Sequence, residues 1–173
     1  FDPDTSTPHR SETNGIAENA VRRVKEGTSC TRSQSGFAEA WWNYAMWTFC
    51  FLRNAVDTLL DGKTAYQKRF GKTFDGPIYP MGAEMKYQPS YKKDKERLHQ
   101  FGPKVLSGIF VGYSQVSGGG WSGDLQIVDY EELDNATSMS EVTVKRFKSS
   151  EVKPVLVNGQ FHFLFWLIFR LTN

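Results

Sequence analysis

The chain changes character at Phe74. Before it, apolar residues recur at helical spacing. After it, Gly76, Pro77, Pro80, Gly82, Pro89 and Gly102-Pro103 punctuate short runs of β-formers. Helices gathered first and short strands afterwards confine the chain to an α+β architecture. In the first half, Ile16, Ala17, Ala20, Val21 and Val24 predict a helix over Asn14–Glu26, with Asn14 as N-cap, Gly27 as its end and the apolar stripe buried. The polar stretch Thr28–Gly36 links it to a second helical segment, Phe37–Leu60, whose aromatic residues fall all round the wheel, as expected of a helix covered on most sides or of one whose exposed face meets another domain. A short stretch, Gly62-Lys63-Thr64-Ala65-Tyr66, then leads to Phe70-Gly71.

In the second half, Val105–Tyr113 alternates, with Val105, Ile109, Val111 and Tyr113 on one face and Gly108, Phe110 and Gly112 on the other. Further strands are predicted near Ala83–Tyr87, over Leu125–Tyr130 and over Glu141–Phe147, with a hairpin turn at Gly118-Gly119-Gly120. Four short strands of this kind suit a small barrel or meander of about 70 residues.

Composition narrows the function only by exclusion. The 173 residues allow one domain or two small ones, and 21 Lys and Arg against 19 Asp and Glu leave a formal charge of +2. A nucleic-acid surface must therefore come from local clustering of cations and not from a bulk field. Two cysteines, Cys30 and Cys50, cannot supply the four ligands of a structural zinc site and read as reduced thiols. The histidines, His9, His99 and His162, are scattered singly. Neither Gly118–Gly120 nor Lys63-Thr64 has the glycine and lysine spacing of a nucleotide-phosphate loop. The uncharged runs Ala40–Leu52 and Phe161–Phe169 are thirteen and nine residues long, against the roughly 20 a membrane-spanning helix needs. Phe1-Asp2-Pro3-Asp4 carries neither an initiator Met nor a signal peptide and reads as the start of a piece of a longer chain.

At 100° per residue, Glu18, Arg22 and Lys25 share one narrow stripe of the first helix, pointing away from the Ile/Ala/Val stripe. The plain reading is a solvated face with an i,i+4 Glu–Arg pair contributing about 0.2–0.5 kcal/mol. The surrounding residues support a more specific one. Thr7-Pro8-His9-Arg10-Ser11-Glu12-Thr13-Asn14-Gly15-Ile16-Ala17-Glu18 resembles the end of the catalytic core of copia-type retrotransposon integrases, where a Pro-rich loop passes through Asn-Gly-x-Ala-Glu into the final helix. Phe37-Ala38-Glu39-Ala40-Trp41-Trp42 with Phe51-Leu52-Arg53-Asn54 resembles the helix that follows, and Gly62–Tyr66 with Arg69-Phe70-Gly71 resembles that family's Gly-Lys-Thr-Pro-Tyr-Glu segment, from which Ala65 and Gln67 depart. Gly108-Ile109-Phe110-Val111-Gly112-Tyr113 is similar to the Phe-Leu-Gly-Tyr hallmark of the SH3-like domain that follows the integrase in such polyproteins.

The resemblance implies residues 1–61 as the truncated end of an RNase H-like integrase core, 62–75 as a linker, 76–152 as an SH3-like β-barrel, and 153–173 as an atypical apolar tail outside the family pattern. It implies that Glu18 is the third carboxylate of an Asp-Asp-Glu triad and so a catalytic residue and metal ligand, with Arg22 and Lys25 facing DNA. Asn19 stands where the family has Arg. In the intact protein two divalent cations, Mg²⁺ or Mn²⁺, would flank the attacking and leaving oxygens during 3′-end processing and strand transfer. The two companion Asp and the zinc-binding N-terminal region would precede residue 1, so the isolated chain is expected to be inactive and to need no cofactor. Lys145 and Arg146, with Lys148 and Lys153, are the second candidate DNA contact, whereas Lys92–Arg97 reads as a solvated loop or helix start. The implied partners are element and target DNA, the rest of the polyprotein and, in the intact integrase, further copies of itself, with no membrane. The implied setting is intracellular, a cytoplasmic particle before integration and the nucleus during it. Two alternatives stand beside this reading: a non-catalytic nucleic-acid-binding or interaction module, and a decayed transposon remnant.

Overall fold

The computed structural model of the chain describes residues 15–164. The expected loop over Phe1–Thr13 and the apolar run past Leu164 lie outside them. Two long helices, α1 (Gly15–Ser35) and α2 (Trp42–Val56), and a short one, α3 (Ala65–Phe70), precede a sheet of five strands. The strands are β1 (Glu84–Tyr87), β2 (Leu106–Gln115), β3 (Trp121–Asp129), β4 (Val144–Lys148) and β5 (Val152–Pro154), with short helices α4 (Lys92–Lys95) and α5 (Tyr130–Asn135) in the connections. A hairpin of β6 (Leu156–Val157) and β7 (Gln160–Phe161) turns through Asn158 and Gly159, both with positive φ as a tight turn of this type requires.

The first helix departs from expectation at its end. Gly27 does not stop it; the backbone continues to Ser35 and is capped by Gly36, whose φ of 75° is left-handed and whose N–H donates to the Arg32 carbonyl at 3.1 Å. The missing Cβ of Gly27 serves packing instead, since a Cβ there would lie 2.1 Å from the Phe49 ring of α2. The apolar stripe is not buried either: Ile16 is 92% and Val21 53% exposed, so the first three turns of α1 stand free of the rest of the described chain. The predicted second helix is also shorter. It begins after a 3-10 turn at Glu39–Trp41 and stops at Val56, where Asp57 turns extended and a bridge pairs Thr58 with Thr64. Thr64 then N-caps α3, its Oγ1 accepting from the Gln67 N–H at 3.0 Å.

Helix α2 and the sheet share their core. Phe37, Trp41 and Ala45 pack with Met81, Ile109, Val111 and Val128, while Phe51 and Ala55, one and a half turns further on, join Tyr66, Met85, Phe110, Tyr113, Leu125 and Phe147. Between the two clusters stands Thr48, 1% exposed, whose hydroxyl donates to the Val111 carbonyl at 2.8 Å. That carbonyl belongs to a bulge. Phe110 pairs with Ile127 and Gly112 with Gln126, so Val111 is the extra residue on β2. The bulge shifts the side-chain alternation by one. Tyr113 therefore leaves the face of Ile109 and Val111, where strict alternation puts it, and packs with Phe110, their ring centroids 5.1 Å apart.

The sheet is antiparallel throughout, in the order β4-β3-β2-β1-β5. The expected closed barrel does not form: among the described residues no ladder joins the edge strands β4 and β5. The last strand is three residues long and ends in Pro154, which has no N–H to extend a ladder. The hairpin beyond it is anchored to β1, the Glu84 N–H donating to the His162 carbonyl at 2.7 Å and His162 Nδ1 lying 2.7 Å from a Glu84 carboxylate oxygen.

Candidate nucleic-acid interface

Glu18, Arg22 and Lys25 lie on the free part of α1, all three exposed. The i,i+4 ion pair anticipated between Glu18 and Arg22 is not made; Arg22 donates instead to the Asn19 side-chain carbonyl at 3.0 Å. Asn19 thus orients the cation one turn further on. The stripe presents one carboxylate and two cations, and among the described residues none of another element lies against them. Among the described residues no group of three or more His, Cys, Asp or Glu is placed to hold a metal ion. Two-metal phosphodiester chemistry requires clustered carboxylates. Glu18 by itself does not meet that requirement, and no metal-dependent step follows from the residues described.

The second candidate pair divides. Strand β4 alternates, burying Lys145 and Phe147 and exposing Arg146 and Lys148. Lys145 is 8% exposed, with Nζ 2.8 Å from Asp94 and 3.5 Å from Glu132, so its charge is committed within the protein and is not presented to a phosphate. Arg146 and Lys148 remain on the exposed face. Lys153, on β5 at the opposite edge, pairs in register with Lys86.

The charge run Lys92–Arg97 does what its composition does not announce. Asp94, 4% exposed, points inward to Lys145, and Arg97 reaches Asp129 at 2.9 Å and Glu131 at 2.6 Å. Asp129 is fully buried; it accepts from the Tyr87 hydroxyl at 2.5 Å and caps α5 through the Glu132 N–H at 3.0 Å. Burial works to raise the Asp129 carboxyl, but hydrogen bonds from Arg97 and Tyr87 outweigh it and hold the group below the usual carboxylate range. Burial, then the bond to Asp129, drives the Tyr87 phenol far above its ordinary value. This network fastens α4 and α5 to the sheet. It is structural, and nothing in the residue spacing of 94, 97, 129 and 145 marks it out beforehand.

No protein-family model, curated protein or solved structure matches the chain. Among the described residues no helix is long and apolar enough to cross a membrane.

Proposed function

We propose that the chain is a piece of a copia-type retrotransposon polyprotein, comprising the last helix of an RNase H-like integrase core and the SH3-like domain after it, and that it acts in DNA integration as a DNA-contacting part. The observation that carries this reading is the free segment of α1. It holds Glu18, Arg22 and Lys25 on one stripe and leaves the apolar Ile16 and Val21 uncovered by the other described elements, as a helix completing a separate catalytic core would. The sheet supports the SH3-like part: four strands in meander order, then a 3-10 turn (Ser149–Glu151) that returns β5 to β1. In the intact integrase Glu18 would join two Asp in holding Mg²⁺ or Mn²⁺; in this chain the work falls to the cations, which neutralise phosphates.

The reading is tested by fluorescence anisotropy of the full chain with labelled duplex DNA at rising salt. Retention is expected at low salt, falling linearly on logarithmic axes, and Arg22→Ala with Lys25→Ala should shallow that slope by about two, one per lost phosphate contact. No retention at low salt, or a slope unchanged in the double variant, overturns it. A non-catalytic binding module based on the sheet is the second reading; the exposed Arg146 and Lys148 favour it, and it predicts instead that Arg146→Ala with Lys148→Ala shallows the slope.

A further inference from the structure

At the end of the β2–β3 ladder opposite Asp129, α2, α3 and the loop after β2 enclose an open cleft of about 350 Å³. Its walls follow from helical spacing. Trp47, Cys50 and Asn54 stand at i, i+3 and i+7 on one face of α2, Arg69 and Phe70 come from α3, and Gln115 ends β2. The rest of the rim is the Val116–Gly120 loop, where Gly118 and Gly119, with φ of 98° and 88°, turn the hairpin tightly and add no side chain over the opening.

The lining has a definite chemistry. Trp47 is 53% exposed, its indole edge-to-face with Tyr44 at 5.9 Å between centroids and the remaining surface bordering the cleft. The Arg69 guanidinium stacks over the Phe70 ring, its carbon 5.6 Å from the centroid, and makes no ion pair among the described residues. Asn54 and Gln115 add two exposed carboxamides, and no carboxylate lines the cleft. An aromatic ring, two groups that both donate and accept, and a planar cation with no ion-pair partner among the described residues suit a ligand that is itself planar and aromatic, hydrogen-bonds at its edge and carries negative charge. The volume lies at the lower end of the range for small-molecule sites, about 300–1,000 Å³, and so takes one such unit.

We propose that this cleft binds a single nucleotide unit, the base stacked on Trp47 and hydrogen-bonded by Asn54 and Gln115, the phosphate held by Arg69. The shared chemistry has two sources, a nucleotide within a single strand and a free mononucleotide. The proposal goes beyond the integration reading and does not depend on the α1 stripe.

Cys50 provides a reporter inside the cleft, and Cys30, exposed on α1, an internal standard. The full chain is alkylated with N-ethylmaleimide and each thiol followed by peptide mass spectrometry, alone, with saturating AMP, and with an oligothymidylate of roughly twelve nucleotides, within the site sizes of single-strand binders. Severalfold slower labelling of Cys50 relative to Cys30 is expected with one ligand or both. Protection by the oligonucleotide only assigns the cleft to a strand, and protection by AMP assigns it to free nucleotide. Trp47→Ala and Arg69→Ala, both at exposed positions, should each weaken oligonucleotide or AMP binding about tenfold without lowering Tm. Cys50 labelling at an unchanged rate under both ligands, or affinities unchanged in both variants, overturns the proposal. Arg22→Ala with Lys25→Ala should leave the protection intact, so failure of the α1 reading and failure of this one are separable.

Discussion

At the scale of single residues, the polar groups that matter most are those taken out of water. Thr48 is the plainest case. Its hydroxyl serves the Val111 carbonyl at the bulge, which has no ladder partner of its own. Thr48→Val keeps the shape and removes the donor, so the buried carbonyl is left unpaired. A loss of about 1–3 kcal/mol in urea unfolding at unchanged m-value is expected; an unchanged midpoint would mean the bulge carbonyl finds another partner. Asp129 gives a pH-dependent counterpart. Its folded carboxyl lies below its unfolded value, so its contribution is complete above the unfolded value near 4 and is lost as pH falls through the lower, folded one. Asp129→Asn, which retains an oxygen to cap α5, should cost about 1–3 kcal/mol at neutral pH by removing the buried charge that Arg97 and the Tyr87 hydroxyl meet, Arg97 keeping Glu131, and should flatten the stability profile below about pH 4. A variant with the same acid profile as the parent would refute that assignment.

At the scale of elements, the class of α1, α2 and β1 to β4 was legible from periodicity or composition, while their limits and surroundings, and the short elements α3, α5 and β5 to β7, were not. The helical spacing of Ile16 to Val24 and the alternation around Ile109 are local properties, and they identify α1 and β2 correctly. Gly27 shows why the end of α1 escaped: a glycine that terminates a helix and one that admits a neighbouring ring have the same letter, and only Phe49 distinguishes them. The bulge at Val111 escaped for a related reason, since its justification is Thr48, sixty-three positions away along the chain. Of the candidate site, the stripe of Glu18, Arg22 and Lys25 followed from angle alone, whereas the burial of Lys145 required knowing where Asp94 lies. The Gly27 contact can be put as a cycle. Gly27→Ala should gain up to about 1 kcal/mol of helix propensity but displace the Phe49 ring at a cost of about 1–3 kcal/mol, a net loss by thermal unfolding. In a Phe49→Ala background the same change should stabilise. The same sign in both backgrounds would exclude the ring contact as the reason for the glycine.

At the scale of the molecule, the helices preceding residue 62 and the strands following residue 76 do not keep separate interiors. Phe51 and Ala55 occupy the same cluster as Phe110 and Phe147, and Trp41 and Ala45 the same cluster as Ile109 and Val128. A chain beginning at residue 62 therefore lacks one wall of each. Each large aromatic removed from such a core costs about 3–5 kcal/mol, and a small domain holds only about 5–15 in total. Residues 62–164 alone should give a collapsed proton NMR spectrum, and residues 37–164 a dispersed one. Dispersion in the shorter piece would restore the division at 62.

The anchoring of α1 has a mechanical side. From Gly27 onward the helix lies against α2, with Ser35 buried at its end, and before Gly27 no other described element packs on it. Twelve residues, 15 to 26, at 1.5 Å each make a rod of about 18 Å. It is clamped at one end like a spar in a wall. A load applied at its tip is resisted where the Phe49 ring fills the gap left by a missing methyl group.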